Sequence, residues 1–126
     1  MSPKTIRVTY WTLTGIFCAF HVMDAYGGLT KMKAGVDAMN QMGYPLYLMP
    51  FLSVLKLLGV AALLQDKFKT IKEWAFAGFA FTLIGATVSH AAINDKVAFI
   101  IMPVVFLAIL FALYYFWRKF ELVKAA

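Results

Sequence analysis

The sequence predicts an all-α integral membrane protein built as a bundle of four transmembrane helices. Three observations point to this fold class: 63% of the 126 residues are hydrophobic, only 14% are charged, and four apolar stretches each have the roughly 20-residue length that a membrane-crossing helix needs. A soluble domain carries about a quarter charged residues, and so short a chain has too little interior to hide this much apolar surface. Lipid is therefore the expected solvent for the outer faces of the helices.

The four predicted spans cover about residues 6–25, 45–64, 74–92 and 97–117, within a single domain of residues 1–126. No residue between 97 and 117 is charged, and Pro103 comes early in this span, where it can kink the helix without ending it. Gly27-Gly28 is expected to end the first helix, and Gly43-Tyr44-Pro45 to begin the second. Because no small-residue cleavage site follows the first span, we expect it to be retained rather than removed as a signal peptide.

The connections between the spans differ in character. Residues 65–73 form a predicted charged surface loop, whereas Asn94-Asp95-Lys96 is a tight turn that makes the third and fourth helices antiparallel neighbours. In the longer first connection, Met32, Val36 and Met39 recur at i, i+4 and i+7. That spacing predicts a short amphipathic helix lying in the membrane interface.

Basic residues divide unequally between the two ends of the predicted bundle. Eight lie in the N-terminus, the 65–73 loop and the C-terminus, whereas the opposite end has three, Lys31, Lys33 and Lys96. By the positive-inside rule both termini are cytoplasmic, and the expected location is a bacterial inner membrane. We assign the net charge of +6 to topology and expect no nucleic-acid binding, because no stacking platform or basic helix accompanies it.

Four ionisable side chains interrupt the apolar spans: His21, Asp24, Lys56 and His90. Each costs about 3 kcal/mol or more inside a membrane and so needs a reason. Lys56 lies ~16 Å deep if the second helix begins at residue 45, but ~9 Å deep if it begins at residue 50, from where it can reach Asp24. In the alternative interpretation Asp24 is an interfacial carboxylate, and the histidines are neutral hydrogen-bond partners within the bundle.

Small and polar residues follow one row of the third helix. Members of this row recur every fourth residue, at Gly78, Thr82, Ala86 and His90, with Gly85 and Ser89 beside them. Small residues at such a spacing normally mark a helix–helix contact, which predicts that His90 points into the bundle. The candidate ligand-binding residues are therefore Lys56, His90, His21, Asp24, Thr82 and Ser89.

The chemistry of this set favours binding over catalysis, although the sequence leaves open whether the protein is an enzyme. A lysine beside histidines in an apolar cavity suits a quinone-like or anionic head group. Haem between the two histidines is not expected, because nothing in the sequence fixes their separation. No metal is expected either, since zinc needs three or four ligands with a recognisable spacing. Nucleophilic catalysis lacks a serine or cysteine constellation, and no catalytic residue is identified.

Several segments, in order along the chain, resemble the DoxX-like membrane proteins. The resemblance is carried by Gly43-Tyr44-Pro45, Leu55-Lys56-Leu57-Leu58-Gly59, Lys72-Glu73-Trp74-Ala75-Phe76-Ala77-Gly78-Phe79 and Ile84-Gly85-Ala86 with His90. It covers essentially the whole chain and implies the four-helix layout. Lys56 and His90 match polar positions that recur in these relatives. The chain departs from the family at two places. It has Thr82 where many relatives have an aspartate, and it has Met23-Asp24-Ala25-Tyr26 in place of the usual small-residue stretch in the first helix.

The resemblance implies two functional hypotheses. The family takes its name from a membrane subunit of a thiosulfate:quinone oxidoreductase. The first hypothesis is therefore that the protein is a redox-associated subunit with a quinone-like ligand. Distant relatives assist the assembly of other membrane proteins, so the second is a non-enzymatic binding or assembly factor whose polar cluster is structural. The expected partners are the lipid bilayer, membrane or redox subunits, and a second copy of the chain.

Overall fold

The computed structural model describes residues 2–125, which form five α-helices and no strand. Their bounds are α1 Pro3–Leu29, α2 Lys33–Met42, α3 Leu48–Leu64, α4 Lys69–Ala92 and α5 Val97–Ala125. The start of α1 is fixed by its own residues: the Ser2 hydroxyl accepts a hydrogen bond from the Thr5 amide, and Pro3 occupies the first turn, where its missing N–H has no consequence.

Among the four longer helices, the most extensive contacts link each helix to two others. Helix α1 lies against α3 and α5, and α4 also lies against α3 and α5. Ring contacts show that α1 and α5 are antiparallel, because Tyr10 stacks on Phe120 at 4.7 Å while Phe20 meets Phe106 at 5.3 Å. The buried core runs along this arrangement and is mostly aromatic and aliphatic, with Tyr10, Phe17, Leu63, Leu110, Leu113 and Trp117 almost fully enclosed.

Two of the helices, α4 and α5, are long and apolar enough to cross a membrane, and α3 is a shorter apolar helix. Only 17% of the most apolar segment of α4 and of α5 is buried inside the structure. A core helix of a soluble protein buries most of its apolar surface, whereas these two helices turn theirs outward. An environment that favours such exposed apolar faces is lipid.

The helix boundaries differ from the predicted ones at several places. The prediction that Gly27-Gly28 ends the first helix is wrong, since α1 continues to Leu29. Helix α3 begins at Leu48, which lies between residues 45 and 50, the two starting points considered for it. Helix α4 begins at Lys69, inside the predicted surface loop, and α5 extends to Ala125, well past residue 117. These ends carry ionisable groups, some of which pair across the helices, as Arg118 of α5 does with Glu73 of α4.

Two predicted connections are confirmed. The short helix in the first connection exists as α2, which has a strongly amphipathic face and no buried residue. It ends at Gly43, whose φ of 77° is the left-handed conformation that glycine adopts without strain. The tight turn at residues 94–96 joins α4 to α5, and these helices pack against each other.

Gly28 allows α1 and α3 to approach closely. A Cβ added at Gly28 would collide with the Ser53 hydroxyl and would lie 3.3 Å from the Met49 carbonyl oxygen, whereas a Cβ at Gly15 meets nothing within 4 Å. We therefore expect Gly28→Ala to destabilise the protein by about 1–3 kcal/mol through overpacking. Gly15→Ala, the matched control, should be neutral or stabilising by up to ~1 kcal/mol, because alanine favours helix.

The measurement is unfolding in detergent micelles by heat or by added SDS. Ser53→Ala removes the colliding hydroxyl, so the Gly28→Ala, Ser53→Ala double variant should recover most of the lost stability. A Gly28→Ala protein as stable as the Gly15→Ala protein would show that the helices do not approach at this point.

Candidate functional site

A groove between α3 and α4 is the main candidate site. Its volume is about 410 Å³, and it is lined by side chains from Leu52 to Ala62 on α3 and from Ile71 to Thr82 on α4. The lining is mostly apolar, with Lys56 and Thr82 as its polar members. Gly78 leaves the groove open, since a Cβ there would meet no atom within 4 Å, whereas a Cβ at Gly59 would come within 2.8 Å of the Phe79 ring.

Lys56 is held at the groove by Asp24. Its Nζ donates a hydrogen bond to the Asp24 carboxylate of α1, which forms an ion pair between the two helices. The Lys56 side chain is 24% exposed and that of Asp24 is 60% exposed, so the lysine is the more enclosed partner. A lysine ammonium has three N–H donors, and within residues 2–125 Lys56 uses only the one directed at Asp24.

His21 lies behind the groove rather than in it. Its side chain is buried, and its Nδ1 is bonded to the Phe17 carbonyl oxygen at 3.0 Å. The imidazole packs against Phe79, with ring centroids 4.7 Å apart, and Phe79 in turn lines the groove. The structure thus brings His21 near the site as part of its supporting wall, bonded to a carbonyl oxygen of its own helix.

His90 and Ser89 lie at a different level of α4. The His90 Nδ1–H donates to the Asp95 carboxylate at 2.8 Å, across the α4–α5 turn. Ser89 is hydrogen-bonded to the Tyr44 hydroxyl at 2.6 Å. His90 is eight residues beyond Thr82, which corresponds to ~12 Å along the helix axis. The expected single polar cluster is therefore divided, with Lys56, Asp24 and Thr82 at the groove and the other two near the turn.

The small-residue row of α4 does not mark a continuous helix–helix contact. Added Cβ atoms at Gly78 and Gly85 meet nothing within 4 Å, and Thr82 is exposed, donating to the Gly78 carbonyl oxygen at 2.8 Å. The prediction of an inward-facing row is therefore wrong at these positions, because small residues can equally well form an open groove.

The two histidines lie at different levels of the structure. His21 packs against Phe79, and His90 is eleven residues beyond Phe79 on α4, which is ~16 Å along the axis. Within residues 2–125 no three His, Cys, Asp or Glu side chains come together as a metal site.

At the end of the molecule away from the α4–α5 turn, aromatic rings surround one buried lysine, Lys72. This cluster was missed by the sequence analysis, because Lys72 was placed in a surface loop. The Lys72 side chain is 1% exposed and donates to the Tyr10 hydroxyl. Its Nζ lies 5.1, 5.6 and 5.9 Å from the ring centroids of Tyr10, Trp11 and Trp117, and 3.5 Å from Asp66. The aromatic residues near the helix ends were a signal, but the sequence does not show that three rings meet around one lysine.

The His90–Asp95 pair predicts an acid-dependent contribution to stability. Hydrogen bonds from His90 and then from the Lys96 amide hold the pKa of Asp95 below its usual range. A carboxyl group whose pKa is lowered by folding stabilises the folded state fully at pH values above its ordinary pKa of about 3.9. This stabilisation is lost as the pH falls below that value. We expect Asp95→Asn to remove part of the stability loss seen between pH 5 and about pH 3.

Thermal unfolding in detergent across this pH range measures the effect. Asp37→Asn is the matched control, because Asp37 is exposed on α2 and has no ion-pair partner within residues 2–125. Equal pH profiles for the Asp95→Asn and Asp37→Asn proteins would contradict the prediction.

Comparison with known proteins supports the resemblance seen in the sequence. A family model described as the DoxX-like family matches residues 12–113, which include all of α2, α3 and α4 and most of α1 and α5. No curated protein and no solved structure matches the chain. The match covers well over half of the residues and spans the groove, so the chain belongs to the DoxX-like family.

Proposed function

We propose that this protein is a multi-pass membrane protein that binds a lipid-soluble molecule with a quinone-like or anionic head group in the α3–α4 groove. One observation carries the proposal: Lys56 lies at an otherwise apolar groove with two ammonium donors that no described protein group uses. Asp24 neutralises the charge of Lys56, and a ligand oxygen would accept a hydrogen bond from one of the two remaining donors.

The proposed membrane arrangement has α1, α3, α4 and α5 crossing the bilayer, with both termini cytoplasmic, in a bacterial inner membrane. The outward apolar faces of α4 and α5 support it. Helix α3, with 17 residues, is ~26 Å long, close to the ~30 Å thickness of the hydrocarbon core. The excess of basic residues at the end that holds both termini supports the orientation.

Cysteine labelling tests this topology. Cys18 is the single cysteine and is buried, so Cys18→Ala gives a background for new single cysteines. In intact cells a membrane-impermeant maleimide should label Lys96→Cys and leave Lys67→Cys unlabelled until the cells are lysed. Labelling of both positions before lysis would overturn the orientation.

The shape of the groove suits a ligand that arrives from the lipid. The groove opens sideways between α3 and α4 and is lined mainly by leucine, alanine and aromatic side chains, against which an isoprenoid or acyl chain packs without loss of hydrogen bonds. Lys56 can donate to a carbonyl or phosphate oxygen of the head group, and the Thr82 hydroxyl, which donates to Gly78, can still accept. The proposal is one of binding, and electrons for any redox change would come from a partner subunit.

Lys56→Met tests the proposal because methionine keeps much of the length of the side chain but has no donor. A hydrogen bond to a charged group contributes about 1.5–3 kcal/mol, so binding should weaken by roughly tenfold or more. The probe is a short-chain ubiquinone analogue, followed by quenching of the fluorescence of Trp74, which lines the groove and is 75% exposed.

Two variants serve as controls for this measurement. Lys33→Met removes an exposed lysine outside the groove and should leave binding unchanged. Asp24→Asn removes the negative charge but keeps an oxygen that can accept from Lys56, and it should retain binding. A folded Lys56→Met protein that binds the ubiquinone analogue with unchanged affinity would contradict the groove proposal.

The second candidate function is that of a non-enzymatic assembly or binding factor, for which the ion pair is the supporting observation. Asp24 already neutralises Lys56, so in this second function the pair has the structural role of joining α1 to α3. The outward faces of α4 and α5 then contact the partner, which is a membrane or redox subunit or a second copy of the chain. In that case Lys56→Met and Asp24→Asn should each lower stability, and detergent-purified protein should contain no quinone.

A further inference from the structure

The end of the molecule that holds both termini carries eight basic side chains, which the structure divides into two sets. Three are paired with carboxylates: Lys72 and Lys124 with Asp66, and Arg118 with Glu73. The other five are exposed and have no ion-pair partner within residues 2–125; they are Lys4, Arg7, Lys67, Lys69 and Lys119, here called the basic rim.

Contacts between the helices bring the basic rim to one end. Tyr10 of α1 stacks on Phe120 of α5 at 4.7 Å, which places the start of α1 beside Lys119. Lys124 of α5 reaches Asp66 in the α3–α4 connection at 2.9 Å, next to Lys67 and Lys69. The rim therefore draws on α1, α5, the connection between α3 and α4, and the first residue of α4.

Exposed aromatic rings accompany the rim. The Lys67 Nζ lies 5.3 Å from the centroid of the Phe68 ring, and the Lys119 Nζ lies 5.2 Å from that of Tyr115. Both rings are more than half exposed, and Trp74, one turn into α4, is 75% exposed. Lysines that extend over aromatic rings at the end of an apolar surface are typical of the level at which lipid head groups lie.

We infer that the basic rim binds the phosphate groups of anionic phospholipids in the leaflet that it faces. Within residues 2–125 its five positive charges have no ion-pair partner, whereas the opposite end has only three lysines, Lys31, Lys33 and Lys96, and two carboxylates, Asp37 and Asp95. A lipid fits better than an acidic protein, because the exposed rings lead directly into the outward apolar faces of α4 and α5. The inference rests on the proposed membrane embedding and not on the groove ligand.

The test uses native mass spectrometry of the full chain in detergent with equal amounts of phosphatidylglycerol and phosphatidylcholine. The wild type should retain phosphatidylglycerol preferentially. Because each basic residue near an anionic surface is worth roughly a fivefold change in affinity, the double variant Lys67→Gln, Lys69→Gln should lower that preference by about 25-fold. Lys31→Gln, Lys33→Gln makes the same charge change at the opposite end and should alter it by less than about twofold.

Three outcomes would overturn the inference: equal retention of both lipids by the wild type, an equal effect of the two double variants, or loss of bound lipid to competing inorganic phosphate, which would indicate a site for free anions. None of them would affect the Lys56→Met result, because Lys56 lies outside the rim. Failure of the membrane embedding itself would appear separately in the cysteine labelling.

Discussion

Lys72→Ala should lower the free energy of unfolding by about 3 kcal/mol. The substitution removes a fully enclosed four-carbon stem from between Tyr10, Trp11 and Trp117 and leaves a cavity. It also leaves the Tyr10 hydroxyl without the donor that now reaches it, which costs a further ~1 kcal/mol or more in a buried site. Unfolding in detergent, by heat or by SDS, measures the change.

Two lysine variants separate the causes of that loss. Lys72→Met keeps the stem and removes the charge, so it should cost about 1–2 kcal/mol, the scale of one hydrogen bond plus partly desolvated cation–π contacts. Lys69→Ala changes an exposed lysine in the same turn of α4 and should change stability by less than about 0.5 kcal/mol. A Lys72→Ala protein no less stable than Lys69→Ala would mean that the aromatic enclosure of Lys72 is absent in the protein.

Phe17→Ala should lower the free energy of unfolding by about 2–3 kcal/mol. Phe17 is 0% exposed and packs edge-on against Phe79 at 5.1 Å and beside His21 at 4.2 Å, so its loss removes support from the back of the groove. This value is lower than the about 3–5 kcal/mol that the same substitution costs in a soluble core. Between helices in lipid the substitution removes packing contacts, but the free energy of transferring the side chain out of water contributes less. Weaker ligand binding should accompany the loss, since Phe79 lines the groove.

Phe81→Ala is the matched control for Phe17→Ala. Phe81 is 74% exposed on α4, and its ring faces the surroundings of the protein rather than another helix. Its truncation should cost less than about 1 kcal/mol and leave ligand binding intact. If the two variants are equally stable, Phe17 does not occupy the enclosed position between α1 and α4.

The sequence could predict those features that depend on local pattern. Apolar length indicated four helices where the structure has its four longer ones, and the spacing of Met32, Val36 and Met39 indicated α2. The resemblance to the DoxX-like family is confirmed by the match over residues 12–113. The helices themselves follow from periodicity and segment length, which a single chain displays without knowledge of its neighbours.

Features set by which helix faces meet could not be predicted. Lys72 was assigned to a surface loop because a charged residue near the end of an apolar stretch is normally solvated, and only the meeting of α1 with α5 places three rings around it. His90 was expected to bond within the bundle, but its partner is Asp95, five residues along the chain. Small residues at Gly78 and Gly85 likewise fit either a contact or an open groove.

The packing of α1 on α5 has a consequence for the order in which the chain is assembled during synthesis. Helices α4 and α5 are joined by a short turn, so their contacts form locally and early. Phe120, a partner of both Tyr10 and Trp11, lies in α5 and is synthesised only after the whole of α4. The aromatic face of α1 that packs on Phe120 therefore stays uncovered until α5 has been synthesised.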